Sequence, residues 1–343
     1  MGGPKLFITG ATGYIGGSVL NKLVETHPNF QITALMRNAT SDFISRYPNV
    51  SVVQGTFDDF QVIENAAQDA DIVIHTGDID HPGCAKAILS GLAKKTSKSF
   101  LLHLTGTACI SDMNEQSWEG KVNARVWDDI KDIDEIYNLP ETVWHHAIDQ
   151  WIADASNDKV KTVTICPPDL YGQSTTVGGR TTYMVPEYVA AIIKHNEAFY
   201  LGEGQNMRAV THIDDLTELF VLVLEKYLDG DEDLQFGREG FYFATTDEVA
   251  WKSASEAINK IGQEQGWLPE GTRTVSWTKE QLASVLPDQS ALVLYIWGSN
   301  SRAKSTRAKK LGWKPHGPSF WQALPQDCQI AANRQPFSAL GIL

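Results

Sequence analysis

The run Lys5-Leu6-Phe7-Ile8-Thr9 leads directly into Gly10-Ala11-Thr12-Gly13-Tyr14-Ile15-Gly16-Gly17, and an amphipathic pattern (Ile15, Val19, Leu20, Leu23, Val24) follows. An apolar strand, a glycine turn and a helix in that order restrict a chain to few folds. Glycines at 10, 13 and 16 permit a tight bend, close approach of backbone to a pyrophosphate and close packing of helix on strand. Free amides at the helix start favour the negative charge of a phosphate. The segment reads as a dinucleotide-binding turn, with Gly10, Thr12, Gly13, Tyr14, Ile15 and Gly16 as cofactor-binding candidates.

At 343 residues and 42% hydrophobic, the chain can bury one large core and a smaller one. Short apolar runs at 5–9, 31–36, 50–54, 71–75, 99–104 and 160–166 alternate with helical patterns near 15–26, 60–68, 82–95, 123–137 and 143–155. That alternation predicts an α/β fold, a doubly wound parallel (Rossmann-type) sheet with a smaller C-terminal substrate lobe. The pattern loosens after Pro167-Pro168. We expect a dinucleotide-binding domain over 1–172, to which a helix within 209–229 returns. Residues 173–208 and 230–343 then form the lobe, with 173–185 a loop over the site.

Twenty-nine basic residues stand against forty-two acidic ones, a net charge of −13, which argues against nucleic acid or an anionic membrane as partner. The acidic run Asp128-Asp129, Asp132, Asp134-Glu135 reads as a solvated helix face rather than a metal cluster. Four scattered cysteines (Cys84, Cys109, Cys166, Cys328) have no metal-ligand spacing and suit a reducing compartment. No apolar leader precedes the turn and no run approaches a membrane span, so the expectation is a cytoplasmic protein that binds no metal and acts on a small molecule.

Several further segments resemble the extended short-chain dehydrogenase/reductase family, the group of NAD(P)-dependent epimerases, dehydratases and dihydroflavonol-type reductases. Beside the glycine turn, these are Asp71-Ile72-Val73-Ile74-His75-Thr76-Gly77, Cys166-Pro167-Pro168-Asp169-Leu170-Tyr171-Gly172, Thr211-His212-Ile213-Asp214-Asp215-Leu216 and Leu311-Gly312-Trp313-Lys314-Pro315. In the third of these five, cysteine stands where the family has arginine. The resemblance spans nearly the whole chain. It implies that Thr76, Gly77 and Pro167 line the cofactor and that Asp58 meets an adenine edge, although Asp58 also reads as a helix-start acid. It also implies pairing through two helices as a homodimer, for which 82–95 and 143–155 are the candidates.

The second strand ends in Arg37-Asn38, where an acidic residue would bind a ribose 2′-hydroxyl. A guanidinium suits a 2′-phosphate instead, so NADP(H) is expected over NAD(H). The family's chemistry uses a tyrosine and a lysine four residues apart, yet none of the ten tyrosines here has lysine four positions later. Sliding the family pattern over Thr142–Trp151 puts Thr142 at the tyrosine place and His146 at the lysine place. His146 thereby becomes the candidate proton carrier, oriented by Asp149 or Gln150, while His145 reads as a packed or surface residue. Thr105 and Thr107, where the family has consecutive hydroxyl residues, are candidates to hold a substrate oxygen, and Tyr183 is a loop-borne proton donor.

The resulting expectation is an NADP(H)-dependent oxidoreductase for a small carbonyl or alcohol, without the usual dyad. A non-redox lyase or isomerase on the same scaffold and a nucleotide-sensing regulator are the alternatives.

Overall fold

The computed structural model describes residues 3–113, 115–177 and 179–334. Seven strands form the main sheet: β1 (Lys5–Thr9), β2 (Gln31–Met36), β3 (Ser51–Gln54), β4 (Ile72–His75), β5 (Ser99–Leu104), β6 (Val160–Cys166) and β7 (Phe241–Phe243). Every neighbouring pair is parallel, in the order β3-β2-β1-β4-β5-β6-β7. Strand order reverses between β1 and β4, and a crevice opens there at the C-terminal edge of such a sheet.

The helices that cover the sheet and frame the crevice are α1 (Tyr14–Thr26), α2 (Phe60–Asp69), α3 (Pro82–Lys94), α4 (His146–Asp154), α5 (Met184–His195), α6 (Ile213–Asp229) and α7 (Phe320–Ala332). Strands buried on both faces need cover on both. Alternate residues divide accordingly. Leu6, Ile8, Ile74 and Leu102 pack with Val19, Leu20 and Leu23 of α1 and with Leu216 and Phe220 of α6. Phe7, Val73 and Leu101 face the other way, onto Ile63 of α2, Ile88 of α3 and Ile152 of α4.

A second core lies beyond the sheet edge and is largely aromatic. Phe199 stacks on Trp277 with ring centroids 3.8 Å apart, and Tyr188 meets Trp251 and Trp297 edge-on. Two short sheets carry this lobe: Asp169–Tyr171 with Met207–His212 and Asp247–Ala250, and Ala198–Leu201 with Thr274–Trp277. Helices α5 and α7 pack on each other beside them.

Three sequence expectations change. Residues 241–243, assigned to the lobe, are the seventh strand of the main sheet and pair with β6. The expected helix over 123–137 is helical only at Ile133–Tyr137, because Trp127–Asp128 pairs as a strand with Ala303–Lys304. The acidic run is not a uniformly solvated face. Asp129 is fully buried, where its carboxylate accepts the backbone N–H groups of Phe243 and Arg307, each at 2.9 Å. Arg302 nearby ties to Glu248 at 2.8 Å and to the Asn123 carbonyl. Hydrogen-bonding demand at the sheet edge, which periodicity does not register, recruits these charged groups inward.

All four cysteines are free and buried. No helix among the described residues is long and apolar enough to cross a membrane. Replacing Asp129 by alanine strips two buried amides of their acceptor. The expected cost is about 2–3 kcal/mol, read as a lower urea midpoint at an unchanged slope.

Candidate functional site

The crevice begins where β1 turns into α1. Gly10 has φ +77°, a left-handed conformation that a side chain resists, and a Cβ there would strike the Thr76 carbonyl. A Cβ on Gly16 would strike both Thr76 Oγ1 and the Gly10 carbonyl. Thr76 Oγ1 in turn donates to the Thr9 carbonyl at 2.8 Å, so the ends of β1 and β4 are clasped around the turn. A Cβ on Gly13 would lie 3.2 Å from the Gly10 carbonyl. Gly13 is also the N-cap of α1 and brings no capping side chain, which leaves the first-turn amides for an outside acceptor. Tyr14 fixes the direction of this helix start by donating to the carbonyls of Tyr171 and Gly172 at 3.0 and 2.8 Å.

Two adjoining compartments follow the sheet edge in opposite directions from this turn and share Gly10, Thr12, Arg37, Phe57, Arg180 and Thr181. One, about 980 Å³, lies between the ends of β2 and β3 and the helices α5 and α7. Arg37 is exposed at its wall, and no ion pair engages it among the described residues. Asp58 stands at the same wall, 3.1 Å from His81 Nε2.

The second compartment, about 800 Å³, passes Thr76 and Gly77 and reaches Thr105, Thr107, Pro167 and Tyr183. Thr105 Oγ1 donates to Asp149 Oδ2 at 2.7 Å, and Asp149 Oδ1 lies 3.5 Å from His103 Nε2. Thr105 is therefore left with acceptor capacity toward the crevice. Thr107 Oγ1 lies 3.4 Å from the Tyr295 hydroxyl. Tyr183 is partly exposed at the start of α5.

His146 is not in the crevice. It is 2% exposed on α4, and burial lowers its pKa below the ordinary value despite the nearby Asp149 charge. His145 lines the wall instead. The pattern carried over from the family starts the helix too early, at Thr142: α4 starts at His146, and His145 precedes it with φ +69°. That backbone turn swings the His145 ring toward Gly106 and Asp80 rather than toward Asp149.

Sequence reasoning also missed Tyr295. It sits in the apolar run Ala291–Trp297, which reads as core, and it is indeed 8% exposed, yet it faces the second compartment. Burial pushes its phenol up to about 12, against the pull of the Arg208 guanidinium 4.3 Å from the ring centre. Arg208 is fully buried and holds Asp169 at 2.7 Å and the Tyr295 carbonyl at 2.8 Å. Tyr171 is buried between His212 and Phe320 and donates to the Pro318 carbonyl at 2.9 Å. His212 caps α6, its Nδ1 accepting the Asp214 amide.

A parallel sheet with its order reversed at the glycine turn, and a crevice covered by an aromatic lobe, define a dinucleotide-binding enzyme scaffold. Comparison with known sequences agrees. The sequence profile described as NAD(P)H-binding matches residues 10–184, and that of the NAD dependent epimerase/dehydratase family matches 142–237. The chain belongs to the NAD(P)H-binding family, whose profile covers half of it. It is 29% identical over 347 residues to the oxidase ucsJ of an Acremonium species, covering 96% of this chain and 98% of that protein. It is 21% identical over 241 residues to a decarboxylating sterol-4-alpha-carboxylate 3-dehydrogenase of Dictyostelium discoideum, covering 65% and 68%. Among solved structures, a UDP-glucose 4-epimerase from Thermotoga maritima superposes with TM-score 0.64 at 14% identity, covering 95% of this chain and 97% of that one. A dTDP-glucose 4,6-dehydratase from Bacillus anthracis gives 0.65 at 13%, covering 97% and 98%. At those identities the likeness is one of fold.

Gly16→Ala pushes a methyl group into the Thr76 clasp. It is expected to cost about 1–3 kcal/mol of stability, seen as a lowered melting temperature, and to weaken dinucleotide binding in calorimetry. His146 is expected to titrate below about 6.5 in an NMR pH series. A histidine kept neutral by folding withdraws stability as pH falls, so His146→Gln flattens the decline of the urea midpoint below that pH.

Proposed function

We propose that this chain is an NADP(H)-dependent oxidoreductase acting on a small, largely apolar carbonyl compound or the corresponding alcohol. The observation that carries the cofactor choice is Arg37, exposed and without an ion-pair partner among the described residues at the end of β2. A carboxylate at that place would accept a ribose 2′-hydroxyl and repel a 2′-phosphate, whereas a guanidinium attracts the phosphate through charge-assisted hydrogen bonds.

The residues present fit the dinucleotide. The Gly10–Gly16 turn and the uncapped amides of α1 would hold its pyrophosphate, Arg37 its 2′-phosphate and Asp58 its adenine edge. Thr76, Gly77 and Pro167 would line the nicotinamide half. When bound, NADP(H) supplies or accepts a hydride at the substrate carbon.

The chain's own groups then handle the substrate oxygen. Thr105 spends its proton on Asp149 and offers lone pairs to a substrate hydroxyl. The Thr107–Tyr295 pair supplies a hydroxyl donor to a carbonyl oxygen, and the high pKa of Tyr295 keeps its proton in place at neutral pH. Tyr183 lies at the mouth of the same compartment.

Two observations favour an apolar substrate over a nucleotide sugar. Trp144, Met184, Leu292 and Ile296 line the inner compartment, and its two arginines, Arg37 and Arg180, both stand at the junction with the outer one. The relative of 29% identity is itself called an oxidase, which supports redox chemistry on this scaffold.

Calorimetry with NADPH and NADH tests the cofactor choice. Arg37→Ala is expected to weaken NADPH binding roughly tenfold to a hundredfold, the value of one charge-assisted contact, and to leave NADH nearly unchanged. Equal affinity of the unaltered protein for both would remove the NADP(H) preference. NADPH consumption with benzaldehyde, cinnamaldehyde and phenanthrenequinone tests hydride transfer.

A further inference from the structure

His145 combines three features that ordinary packing does not require. Its backbone lies in the left-handed region at φ +69°, which among the described non-glycine residues occurs only here and at Asn196. Asn196 follows the last turn of α5, where that conformation is commonplace, whereas His145 stands at the start of a helix, where extended backbone is usual. Strained backbone at a crevice wall points to function when the observed geometry leads the argument.

The second feature is Asp80, on the loop after β4. Its two carboxylate oxygens lie 2.8 and 2.9 Å from His145 Nδ1. A carboxylate accepts only, so Nδ1 carries the proton and Nε2 is the exchangeable position. The third feature is Gly106, between the two crevice threonines. A Cβ at Gly106 would come within 3.3 Å of Nε2, so the missing side chain keeps the space beside that nitrogen open.

We infer that His145, oriented by Asp80, carries the proton that the family's tyrosine otherwise exchanges with the substrate oxygen. The inference rests on the hydride-transfer reading. In the reducing direction the Nε2 proton passes to the carbonyl oxygen as the hydride reaches its carbon, giving an alcohol and a neutral imidazole. In the oxidising direction Nε2 takes up the hydroxyl proton, and the imidazolium is balanced by Asp80. Asp78, on the same loop, also lines this compartment and adds negative charge. His145 is 14% exposed and Asp80 54%, so solvent can restore the proton. Asp80 touches no substrate in this account and is a positioning residue.

The left-handed backbone supplies a clean test, because glycine accepts that conformation without strain. His145→Gly is expected to fold with an unchanged or raised melting temperature and to bind NADPH within about twofold of the unaltered protein. Its kcat for NADPH-dependent reduction of whichever of benzaldehyde, cinnamaldehyde or phenanthrenequinone is turned over should fall by about a hundredfold or more, with KM little changed. Added imidazole should restore part of that rate. Nitrogen-15 spectra of the free protein should show His145 protonated at Nδ1, and Asp80→Ala should abolish that tautomer preference.

A His145→Gly enzyme that keeps its kcat overturns the inference and leaves the hydride reading intact. A lost kcat that imidazole does not restore, or a free protein protonated at Nε2 instead, also overturns it. If the unaltered protein binds NADPH yet reduces none of the three compounds, the hydride reading itself falls and the inference falls with it.

Discussion

The contact on which the site depends is the close approach of the Gly10 turn to the end of β4. Thr76 reaches back to the Thr9 carbonyl, and Gly10 and Gly16 admit it only because neither carries a side chain. This clasp fixes where α1 begins and therefore where its unsatisfied amides point. It also sets the junction from which the two compartments of the crevice diverge. A parallel sheet opens a crevice wherever its strand order reverses, but the clasp decides that the opening is lined by backbone donors rather than filled by side chains.

Beneath the crevice floor lies an unusual amount of buried polarity. Thr9 and His75 share a hydrogen bond at 2.6 Å, His75 stacks on His103, and His103 approaches Asp149, which accepts from Thr105. Burial drives His75 well below the ordinary histidine range, so its ring stays neutral in this row. On the lobe side, Arg208 and Asp169 form a buried pair that supports the Tyr295 ring from behind. Buried polar groups of this kind are costly unless each finds a partner, and they hold facing side chains in one geometry when they do. Both walls of the inner compartment are thus backed by charge-assisted contacts rather than by apolar packing alone.

The main sheet was largely legible in the sequence. Six strands and the helices that cover them follow from apolar runs, periodicity and turn residues, because burial on both faces imposes near-continuous hydrophobic stretches. The seventh strand, Phe241–Phe243, is three residues long and carries no periodicity, so nothing marked it. The acidic run at 128–135 misled for a different reason. Composition reports that carboxylates prefer water, but Asp129 is worth burying because two backbone amides at the sheet edge need an acceptor.

The sequence by itself determined the class of fold, the glycine turn and the placement of Arg37 at the end of the second strand, because each depends on residues adjacent in the chain. Local backbone chemistry and spacing suffice for those. Tertiary structure alone decided which histidine faces the crevice, because the later start of α4, at His146, and a single left-handed φ at His145 exchange His146 for His145. It alone brought Tyr295 opposite Thr107, 188 positions apart in the chain, and set Asp80 beside His145 across 65. Such meetings are fixed by how the lobe closes on the sheet, and no pattern within either segment encodes the distance between them.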